Sequence, residues 1–183
     1  MTSLYLSLLL LLNPVPPIEQ GLLVDKQETT QVMHKQQFRT LVIEPVLKEM
    51  GMYSEEAVRL LLMIMAHESR QGYYIKQTVG PAVGVYQMEP ATHDDIRQFL
   101  MRKLLIDKVD YYRMRGAYLT AAQEMAGNMY YATAMARAFF LRFPEALPKG
   151  SDAELAAYAK KRWNTSAGKA TADDYLKAYQ AWK

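Results

Sequence analysis

Residues 54–72 read SEEAVRLLLMIMAHESRQG, and the reading of this stretch decides the fold class. Ser54 has the short side-chain oxygen of a helix N-cap, and Glu55 and Glu56 place negative charge in the first turn, where the helix dipole favours it. From 57 to 66 only Arg59 is polar. A helix apolar on every side has no face to give to water, so it is expected at the centre of its domain. Its end is expected at His67, Glu68, Ser69 and Arg70, with Gly72 as terminator. Glu68 thereby follows an apolar run and sits near the negative end of the dipole, and both effects disfavour its carboxylate. A carboxyl kept protonated near neutral pH is what protonation of a glycosidic oxygen requires. The plain alternative is an exposed Glu in a last helical turn.

The flanking sequence also favours helix. A helix is expected over 27–50, kinked at Pro45, where the missing N–H breaks the ladder. Residues 79–90, VGPAVGVYQMEP, hold two Gly and two Pro among short apolar alternations and predict a loop or small hairpin. Thr92 with Asp95 three residues on resembles a capping box, opening a helix to about Leu105. A long Ala- and Met-rich helix is expected over 120–143, stopped by Pro144. Two more follow over 152–163 and 171–182, with a turn through Ser166 and Gly168 between them. The class is all-α with at most a minor hairpin: one compact helical domain over 27–183 and an N-terminal arm and linker over 1–26.

That arm carries LYLSLLLLL from Leu4 to Leu12 and is ended by Asn13, Pro14, Pro16 and Pro17. No Lys or Arg precedes the run and no small-x-small site follows, so it is a poor signal peptide, and it is far short of the ~20 residues that span a bilayer. The expectation is an apolar arm that docks on another chain or lies at a membrane surface, with an atypical export signal as the alternative. The chain has 183 residues, 50% of them hydrophobic and 22% charged, enough to bury a proper core. A formal charge of +3 suits an anionic polymer and is too weak to point to nucleic acid. With no cysteine, disulfides, thiol catalysis and thiolate metal sites are excluded. His67-Glu68 does not begin a zinc helix, because the second His of HExxH would be residue 71, which is Gln71.

The residues after Glu68 carry a family resemblance. Glu68-Ser69, then Gly84-Val85-Tyr86-Gln87 and Pro90-Ala91-Thr92, resemble the paired Glu-Ser and GxxQxxPxT motifs of the lytic transglycosylase SLT superfamily, relatives of goose-type lysozymes. Asn128-Met129 is similar to the family's Asn-Ile/Leu step, with Ala132 where Gly is usual. Leu155-Ala156-Ala157-Tyr158 is similar to the start of LAAYNAG, with Ala159 in place of its Asn. The resemblance covers roughly 54–183, and the form GPAVGVYQMEPATHDD looks like SLT domains carried by tailed bacteriophages.

The resemblance implies a lysozyme-like fold and cleavage of the MurNAc–GlcNAc β-1,4 bond of peptidoglycan, without metal or organic cofactor. Glu68 would be both acid and base, Ser69 and Gln87 would bond the sugar or orient Glu68, Tyr158 would sit over the carboxyl, and Tyr86 would stand at a cleft-lining position. Each has a structural alternative: Ser69 as a helix cap, Gln87 as a tie for the loop backbone, Tyr86 and Tyr158 as core. Glycosidases commonly use two carboxyls, and residues 69–88 contain none. Glu89 is the one nearby candidate for a second. The setting expected is a virion-associated enzyme that opens the wall during genome entry, the arm holding virion proteins. The rival is a virion structural protein that keeps the scaffold without the activity.

Overall fold

The computed structural model describes residues 32–114, 119–166 and 168–183. The arm and linker expected over 1–26, and the start of the helix expected over 27–50, lie outside the described residues. Those described are mostly helical, with two isolated antiparallel bridges, Lys76 to Val83 and Val83 to Met88, in place of a sheet.

α1 (Lys35–Phe38) runs through a π-helical turn (Arg39–Ile43) into α2 (Glu44–Glu49). Residues 32–34 are not helical, so the helix starts later than expected, at His34, whose ring accepts the Gln37 N–H. The wide turn comes just before Pro45. Proline has no N–H to give the carbonyl four residues back, Leu41. That carbonyl is served instead by the Tyr130 hydroxyl at 3.1 Å.

α3 (Glu55–Glu68) is the helix of the opening stretch, and the Ser54 hydroxyl caps it by accepting the Ala57 N–H at 3.1 Å. Nine of its residues from Ala57 to Ala66 are buried; Arg59 alone reaches out, to Asp152 at 2.6 Å. Each fully buried Leu, Ile or Met there contributes about 1.5–3 kcal/mol relative to exposure. Helices α7, α8 and α9, introduced below, pack around it, and one hydrophobic core runs from Phe38 to Trp182.

α4 (Pro90–Arg102) begins two residues before the expected cap. Pro90 takes the first helical position, where a fixed φ helps and a missing N–H costs nothing, so Thr92 lies inside the first turn and caps nothing. α5 (Asp107–Asp110) is a single turn. The long helix expected over 120–143 is two. α6 (Ala121–Glu124) starts at a Thr120–Gln123 capping box, and α7 (Met129–Phe139) starts afresh at Asn128, whose side chain accepts the Tyr131 N–H at 3.0 Å. Asn128 also donates to the Tyr112 carbonyl and to Glu124, a fully buried carboxylate that pairs with Arg113. Composition alone favoured unbroken helix; the Asn128 side chain competes with the backbone ladder and breaks it. A 3-10 turn (Phe140–Arg142) finishes the segment.

α8 (Asp152–Ala159) and α9 (Ala172–Ala181) open at capping boxes, Ser151 with Glu154 and Thr171 with Asp174. A π-helical stretch (Lys160–Asn164) extends α8 toward the turn before α9. Just ahead of α1, Met33 donates its N–H to the Gln71 carbonyl at 3.0 Å and accepts the Trp182 indole N–H at 2.6 Å. This ties the turn after Glu68 to the C-terminal end of the chain.

Candidate active site

Glu68 is the last residue of α3, half-buried, and opens onto a cleft of about 720 Å3. The loop after α3 and the start of α4 line it with Gln77, Gln87, Glu89 and Thr92. The segment after α7 and the π-helical stretch line it with Phe139, Arg142, Phe143, Arg162 and Trp163. A cavity of this size takes a ligand of a few sugar rings. Burial raises the Glu68 carboxyl above its ordinary range, and a hydrogen bond from the Tyr175 hydroxyl to Oε1 opposes that rise in part. Tyr175 is itself fully buried on α9, its ring 4.3 Å from that of His67. Burial and the neighbouring carboxyl push its hydroxyl far up, so it stays a donor.

The loop is shaped by Gly84 and Gln87, both in the left-handed region, with φ of +77° and +48°. Gln87 returns its amide to its own loop, Nε2 donating to the Gly84 carbonyl at 2.8 Å and to that of Tyr74 at 3.3 Å. It ties the loop and faces the cleft at once. Its Oε1 has no protein donor among the described residues.

Of the five residues singled out from sequence, Glu68 and Gln87 share the cleft and three do not. Ser69 is fully buried; its hydroxyl donates to the Met65 carbonyl at 3.0 Å and accepts the Gly72 N–H at 2.9 Å, which closes the helix end and leaves nothing for a sugar. Tyr86 turns inward, its hydroxyl 3.1 Å from that of Thr133 on α7 and its ring buried. Tyr158 is core as well, packed on Phe140 with centroids 5.7 Å apart, and it is Tyr175 that holds the carboxyl expected for it. The reason is helix phase: Leu155, Ala156 and Ala159 of α8 are also buried, and the stripe they define points Tyr158 toward the 3-10 turn.

Tyr175, Trp163 and the cleft arginines carry no motif. Tyr175 does begin an apolar stripe with Ala178, Tyr179 and Trp182 at helical spacing. That spacing marks a buried face; it does not say which ring meets Glu68.

Tyr175→Phe is expected to raise the Glu68 carboxyl further, because the hydrogen bond that opposes the effect of burial is lost. Titration of the Glu68 carboxyl by NMR in wild type and variant checks this. An unmoved titration would mean that the bond does not form in solution.

No protein-family model, curated protein or solved structure matches this chain.

Proposed function

We propose that the chain is a peptidoglycan lytic transglycosylase of lysozyme-like architecture, carried on a phage particle, with Glu68 as its acid and base. The observation that carries the reading is Glu68 itself: one carboxyl, pushed toward its neutral form by burial, aimed into a sugar-sized cleft and held by a buried tyrosine. Protonated Glu68 gives its proton to the oxygen between MurNAc and GlcNAc as the C1–O bond breaks. The resulting carboxylate takes the proton of the MurNAc C6 hydroxyl as that oxygen closes on C1, which leaves a 1,6-anhydro ring and returns Glu68 to its starting form. Attack from within the same sugar avoids ordering a water, an advantage on the order of 7 kcal/mol when the geometry is good.

Glu89 supports a second reading, because it lines the same cleft and is exposed. A carboxylate there would activate water and give hydrolysis. Mass spectrometry of soluble muropeptides separates the two, an anhydro product being lighter by one water. The expected result is anhydro ends throughout, with Glu89→Gln retaining most turnover. Reducing ends and an inactive Glu89→Gln would make the protein a two-carboxylate lysozyme. No cleavage of purified sacculi would leave a structural virion protein as the reading.

A further inference from the structure

The cleft carries three basic residues. Arg142, Lys161 and Arg162 line it together with Glu68 and Glu89. The two guanidiniums are fixed in place. Arg142 lies over the Phe139 ring at 4.4 Å and bonds Asp95, and Arg162 lies over the Phe143 ring at 4.5 Å and bonds Glu145. Both rings line the cleft, whereas Asp95 and Glu145 do not. Each arginine is therefore held by a ring and a carboxylate with donors to spare, since a guanidinium has five N–H groups and these pairs occupy one or two of them. The Arg142 Nε is buried, so the donors Arg142 has for the cleft are those of its Nη atoms. Lys161 is exposed and makes no ion pair among the described residues. Two planar donors and one flexible cation lining the same cleft as Glu68 match a carboxylate-bearing strand better than a neutral sugar chain.

We propose that Arg142, Lys161 and Arg162 form a carboxylate-reading wall that makes the cleft select glycan strands bearing carboxylates over neutral β-1,4-linked amino-sugar polymers. The proposal deepens the reading of Glu68 as a glycan-cleaving acid and rests on it. In peptidoglycan the carboxylates come from two sources: the side-chain and terminal carboxyls of the stem peptide where the peptide is attached, and the lactyl group of MurNAc where the peptide is absent, since the attached peptide holds the lactyl carboxyl as an amide. Those on the peptide reach further from the ring, while the lactyl one stays beside the bond to be cut.

The test is binding, measured by titration calorimetry on full-length Glu68→Gln protein so that strands are not consumed. Three soluble strands are compared: native peptide-bearing, amidase-trimmed with the lactyl carboxylate freed, and native with every carboxyl converted to amide. Amidated strands are expected to bind about tenfold more weakly than the tighter of the other two at low salt, and the gap is expected to close as salt screens the charges. Trimmed strands that bind more tightly than native ones assign the wall to the lactyl group, and native strands that bind more tightly than trimmed ones assign it to the peptide; either supports the wall. Lys161→Gln, at an exposed position that cannot disturb the core, should weaken the tighter carboxylate-bearing strand and leave amidated ones unchanged. The combined Arg142→Gln, Lys161→Gln, Arg162→Gln protein should bind all three alike. Amidated strands binding as tightly as both of the others, or Lys161→Gln weakening all three equally, would overturn the proposal. Charge-selective binding by a protein whose wild type cuts no strand would instead overturn the catalytic reading and leave the wall standing.

Discussion

Glu68→Gln is expected to lower wall-cleaving turnover by about 10²–10⁴-fold, the range that one general acid contributes, and to make the protein harder to melt above pH 4.5. The two effects have one cause. Burial raises the folded-state carboxyl above its ordinary value of 4.5, so folded Glu68 keeps a proton that the unfolded chain has already released. Unfolding then sheds a proton, and rising pH favours it. The contribution of this group to stability is whole below 4.5 and is lost as pH climbs through the raised folded value. Glutamine does not titrate and still accepts the Tyr175 hydroxyl. The difference in Tm between Glu68→Gln and wild type should therefore be near zero in acid and grow toward neutral pH. Circular dichroism melts at one pH below 4.5 and one well above it check this, and zymography on purified peptidoglycan checks the turnover. A difference that instead turns against the variant as pH rises would show that the carboxylate stabilises the fold, and the physical case for Glu68 as a proton donor would fail.

The sequence was informative where a single side chain decides a local structure. Ser54 starts a helix because its hydroxyl accepts an N–H three residues on, and that chemistry needs no knowledge of the rest of the fold. The apolar run of α3 was equally plain, and with it the place of Glu68 at the end of a buried helix. Thr92 misled because Pro90, two residues earlier, is a better helix start. Asn128 misled because its partners, Tyr112 and Glu124, are brought to it by turns that residue spacing does not encode.

The same distinction separates the site residues. Ser69 and Tyr86 adjoin Glu68 and Gln87 in sequence, and adjacency is poor guidance to direction. Neighbours on a helix point about 100° apart, and within the loop Tyr86 turns toward Thr133 while Gln87 faces the cleft. Tyr175 lies 107 residues from Glu68 and meets it only because α9 packs on α3. Trp163, Arg142 and Arg162 reach the cleft through a 3-10 turn and a π-helical extension, irregularities that a repeating pattern cannot foretell.

Gly84→Ala is expected to destabilise the protein by about 2–5 kcal/mol and to remove activity with it. At φ +77° a residue with a Cβ pays about 1–2 kcal/mol for its conformation alone. The added carbon would also stand 2.6 Å from the Met125 carbonyl oxygen, a backbone atom at the end of α6 that has no rotamer to change. Relieving that contact means moving either the loop or the α6–α7 junction, at a further cost of about 1–3 kcal/mol. A shift of the loop moves Gln87 with it, since both its backbone N–H and its Nε2 donate to the Gly84 carbonyl, at 3.0 and 2.8 Å. Gly51→Ala is the matched control. Its φ of +69° carries the same conformational cost, but nothing lies within 4 Å of the added carbon and the position is remote from the cleft lining. Urea unfolding should therefore show Gly51→Ala losing about 1–2 kcal/mol with turnover retained, and Gly84→Ala losing clearly more together with its turnover. Equal losses in the two variants would mean that the loop shifts freely away from Met125, and that the glycine is required only for its backbone angle.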